Sequence, residues 1–76
     1  MDIENVRSTV LSAIGYDPDR QVLEARFRTG RIYHYYKVPQ DIYDNLRTAP
    51  SIGRYFNKHI ARKYEAELVY DPRRPY

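Results

Sequence analysis

Residues 21–38 read QVLEARFRTGRIYHYYKV and contain the clearest structural signal in the chain. Apolar and polar residues alternate from Gln21 to Arg28, which predicts a strand with one face in the core. The short connection that follows contains Gly30, which accepts a positive φ at no steric cost. Because the next strand-like segment, Arg31–Val38, begins directly after it, these residues predict an antiparallel β-hairpin.

The hairpin is expected to have one buried and one exposed face. Tyr33 and Tyr35 share a side of the second strand, and they lie in the core if they face the apolar side of the first strand. That apolar side consists of Leu23, Ala25 and Phe27. The opposite face of the hairpin then holds Arg26, Arg28, His34 and Tyr36. A register slip of one residue would exchange the two faces.

The segments around the hairpin predict an α+β fold. Ser8–Tyr16 has the periodicity of a strand, and the Asp17-Pro18 pair after it is typical of a type I turn. Pro39–Thr48 predicts a short helix, and Ser51 is a suitable N-cap for a second helix that runs to about Tyr64. Glu65–Tyr70 is a candidate fourth strand. We therefore expect a small antiparallel three- to four-stranded meander followed by two helices packed on one sheet face.

Length and composition favour a single folded domain over residues 1–76, with a core over about 6–70 and an irregular basic tail over 71–76. Hydrophobic residues are 42% and charged residues 30%, which is ordinary globular usage and excludes a disordered chain. The absence of cysteine excludes disulfides and thiolate chemistry. No apolar run is long enough to span a membrane, and the acidic start at Met1–Glu4 does not resemble a signal peptide. We expect a cytoplasmic protein without a membrane partner.

The reactive side chains argue against catalysis. His34 and His59 lie on different predicted elements and lack the spacing of metal ligands. His59 lies on the apolar side of the second helix, where a hydrogen-bonded core histidine is the expected role. The Asp17–Asp19 segment is a turn sequence rather than a pair of catalytic carboxylates. We expect no enzymatic activity, no cofactor, no metal and no small-molecule substrate.

Positive charge and aromatic side chains are the features that suggest a binding role. The net charge is +3, and residues 20–38 carry five basic side chains against one acidic one. Arg54, Lys58 and Arg62 recur at four-residue steps and would form a basic ridge on the second helix. The candidate nucleic-acid-binding residues are Arg26, Arg28, Arg31, Tyr33, Tyr35, Tyr36, Lys37, Arg54, Lys58 and Arg62. The alternatives are a solvated charged surface for the basic residues and core packing for Tyr33 and Tyr35.

The sequence also resembles the KTSC domain family from about Val6 to Tyr64. The resemblance rests on Ser8-Thr9, Ile14-Gly15-Tyr16-Asp17, Gly30, Tyr33-His34-Tyr35, Val38-Pro39, Ala49-x-Ser51-x-Gly53 and Phe56-Asn57. Thr9 departs from the serine expected there. The family is named for its place at the C-terminus of some lysyl-tRNA synthetases and includes stand-alone bacterial and phage proteins. Its function is uncertain, and the resemblance implies a link to RNA through the tRNA-handling enzyme.

Two hypotheses follow for function. The first is a non-catalytic small binding module for RNA, either tRNA or a single strand, in which arginines and lysines contact phosphates. Tyr36 stacks on a base in this hypothesis, and Tyr33 and Tyr35 are further candidates for stacking. The alternative is a protein–protein interaction module that self-associates through a sheet edge. Salt dependence separates them, because binding to phosphates weakens steeply with salt.

Overall fold

The computed structural model describes residues 1–74 and contains one five-stranded antiparallel sheet and two helices. The elements are β1 (Asp2–Asn5), β2 (Leu11–Asp17), β3 (Val22–Phe27), β4 (Ile32–Tyr35), α1 (Gln40–Thr48), α2 (Ile52–His59) and β5 (Ala66–Tyr70). The strand order is β1-β2-β3-β4-β5, so each strand pairs with its neighbours in the chain, and both helices lie between β4 and β5. Pro75 and Tyr76, the end of the predicted basic tail, lie outside the described residues.

The predicted hairpin is present as β3 and β4. Leu23 pairs with Tyr35 and Ala25 pairs with Tyr33, so both tyrosines lie on the face that carries the apolar residues of β3. Gly30 has a φ of 96°, the left-handed conformation that the turn requires. The register inferred from the alternation of residues is therefore the one that the structure has.

The core lies between the sheet and the two helices, which cover one sheet face as expected. Its buried members are Leu11, Ile14, Tyr16, Leu23, Ala25, Tyr35, Val38, Tyr43, Leu46, Phe56 and Ile60. Phe56 of α2 meets the ring of Tyr35 edge-on at 5.4 Å between centroids, and Tyr43 of α1 stacks on Tyr16 at 4.9 Å. The hydroxyl of Tyr16 donates to the carbonyl of Val38 at 2.5 Å, which satisfies a buried polar group.

The sheet has five strands, so the expectation of three to four is corrected. The additional strand is β1, whose sequence Asp2-Ile-Glu-Asn5 has one apolar residue and no strand periodicity. It forms because its backbone pairs with β2 from Asp2 opposite Tyr16 to Asn5 opposite Ala13. Strand β2 begins at Leu11 rather than Ser8, and the register shifts between Leu11 and Ala13, so both Leu11 and Ile14 face the core.

Helix α2 begins as predicted and ends earlier. The Ser51 side chain accepts a hydrogen bond from the backbone N–H of Arg54, which is the expected N-cap. The helix ends at His59 instead of about Tyr64, and Arg62 has a φ of 67°, which no α-helix accommodates. No helix among residues 1–74 is long and apolar enough to cross a membrane.

Candidate functional site

A cleft of about 710 Å³ lies between the loop of residues 7–10 and the first half of α2, and we call it the basic cleft. Three basic side chains line it, from Arg7, Arg54 and Lys58. It is also lined by side chains that can donate hydrogen bonds, namely Ser8, Thr9, Ser51 and Asn57. The cleft therefore combines positive charge with hydrogen-bond donors, which is the chemistry that binds an anion.

The 7–10 loop is held in place by hydrogen bonds around Ser8. Its hydroxyl oxygen accepts from the backbone N–H groups of Val10 at 3.0 Å and Leu11 at 3.2 Å. Its carbonyl accepts from the guanidinium Nε of Arg28, and the N–H of Arg28 donates to the carbonyl of Val10. The turn after β3 thus fixes one wall of the basic cleft and places the Arg28 charge beside it.

Gly53 allows the other wall, α2, to approach this loop closely. A Cβ atom at residue 53 would lie 3.1 Å from Ser8 Oγ and 3.1 Å from Val10 Cγ2, which is tighter than an ordinary contact. The close packing explains why a glycine lies inside a helix, where it costs up to about 1 kcal/mol relative to alanine. It also brings the first turn of α2 next to the Ser8 loop.

The positive charge of the three basic side chains in the cleft is not balanced by a nearby carboxylate among residues 1–74. No carboxylate of residues 1–74 lies within 4 Å of the charged groups of Arg7, Arg54 or Lys58. Other arginines have such partners: Arg26 has Glu24 at 2.7 Å, Arg31 has Asp71 at 3.5 Å, and Arg47 has Glu4 at 2.9 Å. The cations of the basic cleft therefore lack the nearby carboxylate that Arg26, Arg31 and Arg47 have.

On the outer face of the hairpin, by contrast, the positive charge of Arg26 is balanced by a neighbouring carboxylate. Glu24 lies between Arg26 and His34, with its carboxylate oxygens 2.7 Å from Arg26 Nε and 2.8 Å from His34 Nε2. Burial raises the pKa of Glu24, but the hydrogen bonds from His34 and Arg26 outweigh it and leave the pKa below its usual value. Nearby, the Tyr36 hydroxyl donates to Glu67, and this hydrogen bond is the main cause of a raised pKa for Tyr36.

The sequence-predicted candidates do not form one surface. Arg54 and Lys58 line the basic cleft, and Arg28 borders it. Arg31, Tyr33, Tyr35 and Arg62 line a second cleft of about 570 Å³. Lys37 is exposed in a left-handed turn after β4. The predicted ridge is limited to Arg54 and Lys58, because α2 ends before Arg62.

Sequence reasoning did not propose Arg7, Thr9, Ser51 and Asn57 as site residues. Three of them belong to the segments that carried the family resemblance, and in the fold these segments meet at the basic cleft. The signal that could have found them is that Ser8-Thr9 and Ser51-x-Gly53 are hydroxyl-rich segments next to basic residues. Their meeting depends on the packing of α2 against a loop more than forty residues earlier in the chain.

A shallow apolar groove of about 280 Å³ lies on the other side of Arg54 and Lys58. It is lined by Ala49, Pro50, Ser51, Tyr55 and His59 together with these two basic residues. His59 is exposed, and its ring lies 4.4 Å from that of Tyr55 with 36° between the planes. The prediction of a core histidine is therefore wrong, because Ile60 fills the core position at this end of the helix.

The fold and its cleft define a class: a small α+β domain in which an antiparallel meander is covered on one face by two helices. Residues 7–64 match the family model of the KTSC domain, and the chain belongs to this family. A protein from Tsukamurella paurometabola is 39% identical over 64 residues, which cover 84% of this chain and 96% of that protein. The crystal structure of a KTSC domain protein from Yersinia pestis superposes with a TM-score of 0.88 at 35% identity, covering 91% of this chain and 97% of that one.

One group of relatives is much longer than this chain. A lysine–tRNA ligase from Nostoc punctiforme is 37% identical over 61 residues, which are 80% of this chain and 11% of the ligase. A lysine–tRNA ligase from Nostoc sp. is 40% identical over 59 residues, or 10% of that ligase. These matches confirm the resemblance inferred from the sequence.

Proposed function

We propose that this chain is a non-catalytic RNA-binding module and that its basic cleft holds RNA phosphates. The observation that carries the proposal is the set of three basic side chains that surround one concave surface without a carboxylate partner among residues 1–74. Arginine can donate two parallel hydrogen bonds to a phosphate, and lysine contributes a point charge. The neighbouring hydroxyl groups of Ser8, Thr9 and Ser51 supply further donors to phosphate oxygens.

The longer relatives support RNA over other polyanions. By its name, the Nostoc punctiforme ligase acts on a tRNA, and it contains a segment similar to most of this chain. The matched segment is a small part of that protein, so we extend to this chain a contact with RNA and not the ligase activity.

The test removes the two basic side chains of α2 that line the basic cleft, Arg54 and Lys58, and measures the salt dependence of RNA binding. Anisotropy of labelled tRNA and of a labelled single-stranded RNA is followed at several salt concentrations for the wild type and for the Arg54→Gln, Lys58→Gln double variant. If each residue neutralises one phosphate, the slope of log K against log salt falls by about 0.7 per residue on a single strand. Both RNAs should weaken together, since phosphate contacts carry no sequence information.

The matched control removes two cations that lie outside the clefts and outside the candidate set, Arg20→Gln with Lys63→Gln. Both residues are exposed, and neither lines the basic cleft or the second cleft that contains Arg62. The control has the same net charge as the test variant, and it should keep the wild-type slope. Equal loss of slope in both variants would mean that RNA responds only to net charge, and this would refute the assignment to the basic cleft.

A second candidate function, interaction with another protein, is favoured by β5. This strand forms an edge of the sheet, and Leu68, Val69 and Tyr70 are 43%, 40% and 44% exposed. An apolar edge strand can pair with the edge of a second copy. Light scattering over a range of protein concentrations should then show a dimer that Val69→Lys dissociates. A monomer at every concentration would exclude self-association through β5.

A further inference from the structure

Helix α2 separates two recesses of opposite character. The basic cleft lies on one side and the apolar groove on the other, and Pro50, Ser51, Arg54 and Lys58 line both. The side chains of Arg54 and Lys58 therefore lie between the two recesses, and we call this pair the divide. A ligand bound across this divide would meet positive charge on one side and apolar and aromatic groups on the other.

We propose that α2 holds an unpaired nucleotide across this divide, with its phosphate in the basic cleft and its base in the apolar groove against Tyr55 and His59. The inference rests on the proposed function and adds the kind of RNA that is bound. A nucleotide has the required polarity, because its phosphate is anionic and its base presents an apolar π-face. The site thus selects single-stranded RNA.

The aromatic pair in the groove has the properties of a stacking surface. The rings of Tyr55 and His59 lie 4.4 Å apart and are tilted by 36°. Tyr55 is partly buried and packs against the core, which fixes its position, whereas His59 is exposed. Both side chains line the apolar groove, so a base bound in the groove would contact them directly.

The tyrosines that the sequence suggested for stacking are placed less favourably. Tyr35 is buried at 7% exposure beneath Phe56, and Tyr33 packs edge-on against Phe27 at 5.5 Å. Tyr36 is engaged with Glu67. The Tyr55–His59 pair shares its groove with Arg54 and Lys58, which have no carboxylate within 4 Å among residues 1–74 and can therefore contact the phosphate of a nucleotide.

Base pairing excludes this mode of binding. In a duplex the bases are stacked and paired inside the helix, so a duplex reaches the basic cleft through its phosphates and leaves the apolar groove empty. A single strand can direct a base into the groove, and base stacking strengthens binding by about tenfold for one base. The difference in affinity between single-stranded and duplex RNA therefore measures the contribution of the apolar groove to binding.

The experiment compares three labelled probes of equal length: an oligoadenylate, a chain of abasic ribose phosphates and a blunt RNA duplex. The variant is Tyr55→Leu with His59→Ala, where leucine keeps an apolar group against the core. The matched control is Tyr70→Ala, which removes an exposed aromatic ring from β5. Thermal unfolding is recorded for each protein to show that it is folded.

Wild-type protein should bind the oligoadenylate about tenfold more tightly than the abasic chain. The double variant should lose this advantage and keep its affinity for the abasic chain and the duplex, as well as its salt slope. Tyr70→Ala should bind all three probes as the wild type does. Equal affinity of the wild type for oligoadenylate and abasic chain, with a normal salt slope, would overturn the stacking inference alone. If the Arg54→Gln, Lys58→Gln double variant keeps the wild-type dependence of binding on salt, the proposed function is overturned instead.

Discussion

Replacing Gly53 with alanine should destabilise the domain, although alanine is the better helix former. The favourable effect of alanine in a helix is at most about 1 kcal/mol. Against it, the new Cβ would lie 3.1 Å from both Ser8 Oγ and Val10 Cγ2. Neither group retreats freely, because Ser8 holds two backbone N–H groups and the Arg28 guanidinium, and Val10 packs against the core.

Overpacking of this kind typically costs 1–3 kcal/mol, so a net loss of about 1 kcal/mol is expected. For a domain of this size such a loss lowers Tm by about 4–8 °C. Circular dichroism during thermal and urea unfolding measures both quantities. Asn57→Ala, an exposed change on the same helix, is the control that reports the effect of alanine without the contact.

A double-mutant cycle identifies the contact responsible. Val10→Ala removes the Cγ2 atom that the new methyl group approaches, so Gly53→Ala should be less destabilising in that background than in the wild type. If Gly53→Ala leaves Tm unchanged or raises it, the loop of residues 7–10 moves away from the new methyl group without a loss of stability. The conclusion that close packing of α2 builds the basic cleft would then be refuted.

Three further changes test other parts of the structure. Ser8→Ala removes an acceptor from two backbone N–H groups and should cost about 1–2 kcal/mol in urea unfolding, with Thr9→Ala as a neutral comparison. Because the pKa of Glu24 is lowered in the folded state, Glu24 stabilises the fold above its unfolded-state pKa of about 4.3, and this contribution is lost as the pH falls through the folded-state pKa. The free energy of unfolding should therefore fall less steeply below about pH 5 in Glu24→Gln than in the wild type. An equally steep fall in both proteins would contradict the pairing of Glu24 with Arg26 and His34. Tyr35→Ala should destabilise by about 3–5 kcal/mol while Tyr35→Phe keeps wild-type RNA affinity, since the ring fills the core; loss of RNA binding in the phenylalanine variant would show that the hydroxyl has a binding role.

The sequence predicted the parts of the fold that are governed by periodicity. The hairpin of β3 and β4 was found because alternation assigns each residue to a face, and the register followed from it. Strand β1 was missed because its pairing is made by the backbone and its side chains are mostly polar and exposed. The early end of α2 was missed because the left-handed conformation of Arg62 has no signature in an arginine.

The candidate site was harder to predict because it depends on distant partners. Arg26 and Arg31 read as free cations in the sequence, but the fold supplies Glu24 and Asp71 to them. Conversely, Arg7 and Thr9 attracted no attention until the loop that carries them was placed against α2. Charge counted along the chain identified Arg54 and Lys58, whereas the distribution of counter-charges required the three-dimensional structure.

The strand order has a consequence for how the domain folds and opens. Strands β1 to β4 pair with their immediate neighbours through short connections, whereas β5 reaches β4 only after the chain has passed through both helices. Local pairings form quickly, and the closing of a long connection delays the remaining one. Strand β5, which is exposed along its whole length, should therefore join the sheet last and leave it first. Its departure would uncover the backbone of β4 while the first four strands remain paired.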